Sequence, residues 1–200
     1  YFSLTLLFNL IWCETIVIWF ASIHALPVIL LNYLFNKRLL IIAGGFDVAN
    51  EPVIKYGAMQ GKSRARFGKW LLSRAHIVIA VSKSNKREII NNACVSINKI
   101  KLIYNAIPDS KKSQNIVKKN QVFTVGEINK ETFKRKGLDR FIAVAKKMPN
   151  VQFIHIGKWT NNKGIPCETM IRYVKKISSP NIQYLGYVNT EVLRQYYLES

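Results

Sequence analysis

Acidic residues are scarce in this chain. Eleven Asp and Glu stand against thirty Lys and Arg over 200 residues, a formal net charge of +19 with pI ≈ 10.0. Such a balance speaks about partners and solubility, not about fold. Part of it is residue usage, because Lys supplies most of the cations and Asn and Ile are also frequent. Cysteine is scarce too. Cys13, Cys94 and Cys167 lie far apart and none forms a CxxC pair. An odd, scattered set argues against a disulfide framework and fits a reducing, cytoplasmic setting. The three histidines and three cysteines form no ligand-like cluster, so neither a protein-bound metal nor a cofactor is expected. There is no GxxxxGK[ST] loop and no GxGxxG loop. Nor is there an uninterrupted apolar run of the roughly 20 residues that a membrane span needs. The most apolar stretch, residues 1–36, is broken by Glu14, His24 and Pro27. It reads as a helix (Tyr1–Trp12), a strand (Thr15–Phe20) and a helix (His24–Phe35).

Hydrophobic residues make up 49% of the chain, aromatics 12% and charged residues 20%. That excludes a disordered or collagen-like chain and leaves one ordinary domain or two small ones. The sequence opens Tyr1-Phe2-Ser3, without an initiator Met or a targeting peptide, and stops at Glu199-Ser200 within a helical pattern. The expectation is a fragment of a longer protein.

Arg38–Ala43 is a continuous apolar run that meets Gly44-Gly45-Phe46-Asp47, the pattern of a parallel strand buried on both faces. His76–Val81 and Lys101–Tyr104 repeat it, with basic helical segments over Gly61–Arg74 and Ser82–Asn92 between them. His76 and His155 fall on strand patterns and read as core. Strand and helix alternating at this spacing predict βαβ units and a parallel sheet. Pro108–Asn120 is polar and aperiodic, the composition of a linker. The alternation then restarts with strands over Gln121–Val125, Val151–Ile156 and Ile182–Leu185 and helices over Leu138–Lys147, Pro166–Ile177 and Thr190–Leu198. The predicted organisation is a first Rossmann-like unit over 1–107, a linker over 108–120 and a second unit over 121–200, the two facing a cleft.

Each strand of the second unit runs into a glycine: Gly126, Gly157 and Gly186. In open α/β sheets ligands bind beyond the carboxyl ends of strands, and glycine lets a ligand approach the backbone. Glycine is also common at any strand exit. The loop after Gly126 is more specific. Lys130, Lys134, Arg135 and Lys136 precede Gly137 and a helix start. Cations beside free helix N–H groups make an anion site, above all for phosphate. The alternative is a solvated Lys-rich loop.

The series FTVG…KRKGLDRFIAVAKKMPNVQFIHIGKW…SPNIQYLGYV…LRQYY resembles the donor domain of retaining GT-B glycosyltransferases of glycosyltransferase family 4. In the first unit, Ala80-Val81-Ser82-Lys83-Ser84 and Ile103-Tyr104-Asn105-Ala106-Ile107 are similar to that family's AVS and YNG(I/V) segments. WFASIHALP and AGGFDVANEP resemble a subgroup from polysaccharide clusters. The resemblance implies an α/β GT-B-like fold, both of whose domains are incomplete here. It also implies transfer of a sugar from a nucleotide diphosphate sugar to a glycan or lipid-linked acceptor. The lysine and glycine of its donor-phosphate site map onto Lys136 and Gly126. Where the family has an arginine after that glycine, this chain has Glu127, and Arg135 or Lys130 is expected to supply the cation instead. Gly157 and Tyr187 complete the expected donor-binding set. The family's first-domain histidine has no counterpart at Gly44-Gly45. Asp47 and His24 are the nearest catalytic candidates, and Gly44, Gly45 and Glu51 the acceptor-side ones. Asp47 reads equally as a turn cap and His24 as a structural histidine. The family's E-x7-E element and first glycine-rich loop lie outside the chain.

Lys55–Lys119 is strongly basic, and the Gly61–Arg74 segment carries Lys62, Arg64, Arg66 and Lys69 with Phe67 and Trp70. A cationic amphipathic helix with aromatics suits an anionic membrane surface. A helix with its apolar side on a sheet has the same pattern. Peripheral attachment to the inner face of the cell membrane is the expected localisation beside a cytoplasmic one. The competing function is a basic membrane- or nucleic-acid-associated α/β binding protein without catalysis. Nucleic acid is disfavoured, because no RNP, GxxG or helix-turn-helix signal is present.

Overall fold

A computed structural model describes residues 8–107, 116–160 and 167–200. The chain divides into two compact units, Tyr1–Pro108 and Asp109–Ser200, each built on its own parallel sheet.

In unit 1 the strands β1 (Thr15–Trp19), β2 (Arg38–Ala43), β3 (Ile77–Ala80) and β4 (Ile100–Leu102) lie side by side in that order, all parallel. Parallel neighbours require crossovers, and helices α1 (Ala25–Phe35), α2 (Lys62–Arg74) and α3 (Lys83–Asn91) supply elements of them. Residues 8–12 are helical as well. The remainder of the helix expected from Tyr1 lies outside the described residues. Leu39, Ile41 and Ala43 of β2 are buried on one face and Leu40 and Ile42 half-buried on the other, which is why the strand reads as a continuous apolar run. Ile18, Ile29, Leu71, Leu72, Val78 and Ile89 close the core around it. Ser82 caps α3 by accepting from the Asn85 amide at 3.0 Å.

Two expectations for this unit are corrected. His76 is not core. It precedes β3, is exposed, and accepts from the Leu39 amide through Nδ1 at 3.0 Å. The aromatics of α2 do not form an outward apolar face. Phe67 and Trp70 stack on each other at 6.0 Å and pack against the core. The Arg74 guanidinium covers the Trp70 ring at 5.7 Å. Lys62, Arg64 and Arg66 are exposed, while Lys69 is half-buried and donates to Cys94 Sγ at 3.6 Å. The helix therefore turns its apolar side to the sheet and its cations to water.

In unit 2 the strands β5 (Gln121–Val125), β6 (Gln152–Ile156) and β7 (Ile182–Gly186) pair in sequence order, all parallel. The helices are α4 (Thr132–Arg135), α5 (Leu138–Lys147), α6 (Glu168–Ile177) and α7 (Thr190–Glu199). Residues 161–166, including the expected helix start at Pro166, lie outside the described residues. Leu138, Ile142 and Val174 form the core on the helix side. The Asn181 side-chain amide donates to the carbonyls of Ala145, Met148 and Val151 within 3.0 Å, fastening the end of α5 to the entry of β7. Residues 118–120 belong to this body although their composition reads as linker. The Lys119 amide and ammonium both bond to Glu199, and the Asn120 carbonyl accepts from Gln152. Residues 108–115 of the expected linker lie outside the described residues. Among the described residues no helix is long and apolar enough to cross a membrane.

Candidate functional site

The three strand exits of unit 2 stand in a row. The Gly126 amide donates to the Ile156 carbonyl at 2.9 Å, and the Gly157 amide to the Gly186 carbonyl at 2.7 Å. Gly157 adopts φ +153°, and a Cβ built on it would lie 1.9 Å from the Gly126 carbonyl oxygen. No side chain fits there, so the close approach of the two exit loops requires this glycine. Beyond the exits the loops stay paired. Ile128 and Trp159 form a parallel bridge, with the Ile128 amide donating to Lys158 and the Thr160 amide to Ile128.

The cationic loop is not a simple coil. The Asn129 side chain accepts from the amides of Glu131 and Thr132, the Thr132 hydroxyl accepts in return from the Asn129 amide at 2.8 Å, and it donates to the Glu127 carbonyl at 2.7 Å. This reciprocal capping starts α4, a single turn too short to show any periodicity in sequence. At the far end the Lys136 amide donates to the Thr132 carbonyl at 2.7 Å. Gly137, in the left-handed region at φ +71°, turns the chain into α5. The Lys136 side chain is thereby laid along Gly126: a Cβ on Gly126 would be 3.9 Å from Lys136 Cδ. Gly126, Glu127, Thr132, Lys136 and His155 line one small pocket beneath the loop. The fold thus brings Gly126, Gly157 and Lys136 together from separate elements. Lys130 and Arg135 are exposed on the same loop. Tyr187, exposed after β7, has the Lys158 ammonium 4.9 Å from its ring centroid.

Glu127 turns to the neighbouring exit loop. Its carboxylate accepts a hydrogen bond from the hydroxyl of buried Thr160 on the adjacent exit loop. Sequence reading missed Thr160, and it missed the site role of His155, which it placed in the core. His155 is indeed 2% exposed, but it also lines the pocket. Burial pushes the His155 imidazole down to about 4, against a smaller opposing effect of a hydrogen bond with the Gly126 backbone.

The exits of unit 1 are arranged differently. Asp47 is buried, and its two carboxylate oxygens accept from the amides of Ala21 at 3.0 Å and Gly45 at 2.9 Å. It is a clamp between the loops after β1 and β2. His24 donates from Nε2 to the Trp19 carbonyl at 2.9 Å. That fixes its neutral tautomer and leaves Nδ1 to accept from the Ser22 hydroxyl at 2.5 Å. Neither residue presents an uncommitted atom to a substrate. Gly44 faces the Phe20 ring, which fills the position of its missing side chain, and Gly45 adopts φ +121°. Glu51 is exposed and paired through its backbone with Tyr56. Among the described residues no group of three or more His, Cys, Asp or Glu is placed to hold a metal ion.

No protein-family model matches the chain, and no curated protein sequence matches it. Solved structures do. HepE of Anabaena, solved with UDP, superposes with a TM-score of 0.61 at 15% identity, covering 93% of this chain and 51% of that one. Sucrose-phosphate synthase of Thermosynechococcus elongatus gives 0.65 at 14%, covering 94% and 48%. TarM of S. aureus, solved with fondaparinux, α-GlcNAc-glycerol and UDP, gives 0.58 at 14%, covering 93% and 36%. These likenesses show the fold: α/β with parallel sheets, of the GT-B type. The chain spans about half or less of the length of these structures.

Proposed function

We propose that this chain is part of a glycosyltransferase. It would move a sugar from a nucleotide diphosphate sugar onto a glycan or lipid-linked acceptor, in the manner of the retaining family 4 enzymes its motifs resemble. The observation that carries the reading is the placement of Lys136 along Gly126, at a glycine-lined strand exit and beside the start of α5. Two of the structures with this fold were solved with UDP, which supports the same ligand class here.

The chemistry asked of the site is modest. As the bond from the sugar C1 to the phosphate oxygen breaks and that from C1 to the acceptor oxygen forms, negative charge grows on the leaving diphosphate. The Lys136 ammonium and the α5 amides stabilise that charge without a proton changing hands. Tyr187 and Lys158 flank the nucleotide side, and Arg135 or Lys130 adds cationic reach from the rim. No resident cofactor is invoked. In the full-length protein, Lys136→Ala is expected to weaken UDP or GDP binding at least tenfold, because a charge-assisted phosphate contact is worth about 1.5–3 kcal/mol. Unchanged affinity by calorimetry would make Lys136 a solvated loop cation and remove the basis of the reading.

The same reading places the protein on the inner face of the cell membrane through the exposed cations of α2. Because Phe67 and Trp70 are committed to the core, the attachment is electrostatic. Reversing Lys62, Arg64, Arg66 and Lys69 should abolish binding to anionic vesicles, each surface cation contributing about 1 kcal/mol. High salt should release the wild-type protein. Retention at high salt would point to apolar insertion instead.

A further inference from the structure

The pocket beneath the Gly126–Lys136 loop contains a buried polar atom without a partner, Nδ1 of His155. The imidazole lies between the rings of Trp159 and Tyr184, each 5.8 Å away between centroids. An orphaned buried nitrogen costs free energy that an apolar side chain would avoid. The charge on the pocket walls gives it a use. Among the described residues, Lys136 is the one cation that lines the pocket and Glu127 the one carboxylate, so these two together offer no net charge to a ligand carrying two or more negative charges.

We propose that His155 is a positioning residue for the phosphates, taking up a proton when an anion binds over the mouth of the pocket and so presenting Nδ1–H as a second cationic donor from below. The inference rests on the donor-site reading above. Burial by itself keeps the ring neutral near pH 7. The ionisable groups facing it permit the switch. The Lys136 ammonium opposes a second positive charge until an anion neutralises it. The Glu127 carboxylate, held by Thr160, favours one. The Tyr184 hydroxyl is pushed up by burial, bonded to Ser178, and stays neutral. Lys158 is turned to the Tyr187 ring. An anion bound beside Lys136 raises the proton affinity of the imidazole because the ring itself is buried, where a nearby opposite charge is little screened.

The test is a histidine-selective 15N NMR titration of the full-length protein, free and saturated with inorganic pyrophosphate or UDP, with the His155 signal assigned by its loss in H155Q or H155N. His155 should stay neutral above about pH 5 when free. It should gain at least a hundredfold in proton affinity, a rise of about two pKa units, when pyrophosphate is bound. Lys136→Ala should abolish the rise. Calorimetry at pH 6 in two buffers of different ionisation heat should show proton uptake with the wild type and none with H155Q. Pyrophosphate that binds through Lys136 while the His155 signal stays still would overturn this proposal and leave the donor site standing. Absence of any binding of pyrophosphate and UDP to the wild type would overturn both.

Discussion

Both units of this chain are parallel α/β layers whose loops gather at the carboxyl ends of the strands, yet they treat those ends in opposite ways. In unit 1 the exits of β1 and β2 consume their own polar groups. Asp47 gives both oxygens to backbone amides, His24 uses both ring nitrogens, and a phenyl ring fills the space beside Gly44. In unit 2 the exits are bare glycine, an exposed lysine lies across the first of them, and a buried histidine nitrogen beneath it has no partner. Topology alone nominates both places as ligand sites. Which polar atoms are already satisfied separates the β1 and β2 exits from those of unit 2, while Asn85 Nδ2 behind the β3 exit is, like His155 Nδ1, buried without a partner. A loop that has spent its hydrogen bonds on itself is scaffold, and one that has not is poised for something else.

The contrast is most sharply broken by paired glycine substitutions. Gly157→Ala places a Cβ against the Gly126 carbonyl and should cost more than about 3 kcal/mol, measured by denaturant unfolding. Gly45→Ala meets backbone strain but no neighbouring atom, and should cost about 1–2 kcal/mol. Equal costs would mean that the unit 2 exits are not fixed against each other.

Acid should also separate the units, with opposite signs. His155 is held below its ordinary value in the folded chain. The unfolded chain therefore takes up a proton first, and stability falls as pH drops from about 6.5 toward 4, by up to about 3 kcal/mol. H155F should lose that part of the acid sensitivity. Glu88 in unit 1 is held above its ordinary value by burial, then by Glu51. Its protonation favours the folded state, so it adds no acid loss.

Asp47→Ala strands the amides of Ala21 and Gly45 and should destabilise the protein by about 2–3 kcal/mol while leaving UDP affinity unchanged. A loss of UDP binding at constant stability would restore Asp47 as a site residue. The smallest effect concerns Glu127. Thr160→Val releases its carboxylate toward Lys136 and should weaken UDP binding by about threefold. Glu127→Gln should strengthen it by a similar factor. A much larger gain would identify the native loop as a site that has lost its ligand.

The periodicity of the sequence made the strands and most helices legible, because apolar runs ending in glycine and Ser82 before a helix are local signals. The joining of Gly126 to Lys136 was legible from the order of motifs. What stayed hidden depends on contacts between loops far apart in sequence. The α4 turn is set by Asn129 and Thr132, which mark polar loops as readily as caps. Thr160 matters only because the loop after β6 lies against the loop after β5. His76 and His155 sit in similar apolar surroundings in sequence, but one precedes its strand and the other lies within a central one. The basic helix is amphipathic in either reading, and only its packing shows that Phe67 and Trp70 face inward.

The contact between Gly157 and the Gly126 carbonyl also ties two positions together in inheritance. A lineage that gains any side chain at position 157 must first displace the segment that carries Gly126 and Glu127. Variation at 157 among chains of this fold would then report, from sequence alone, which of them have abandoned the close pairing of these two strand exits, even where the lysine itself persists.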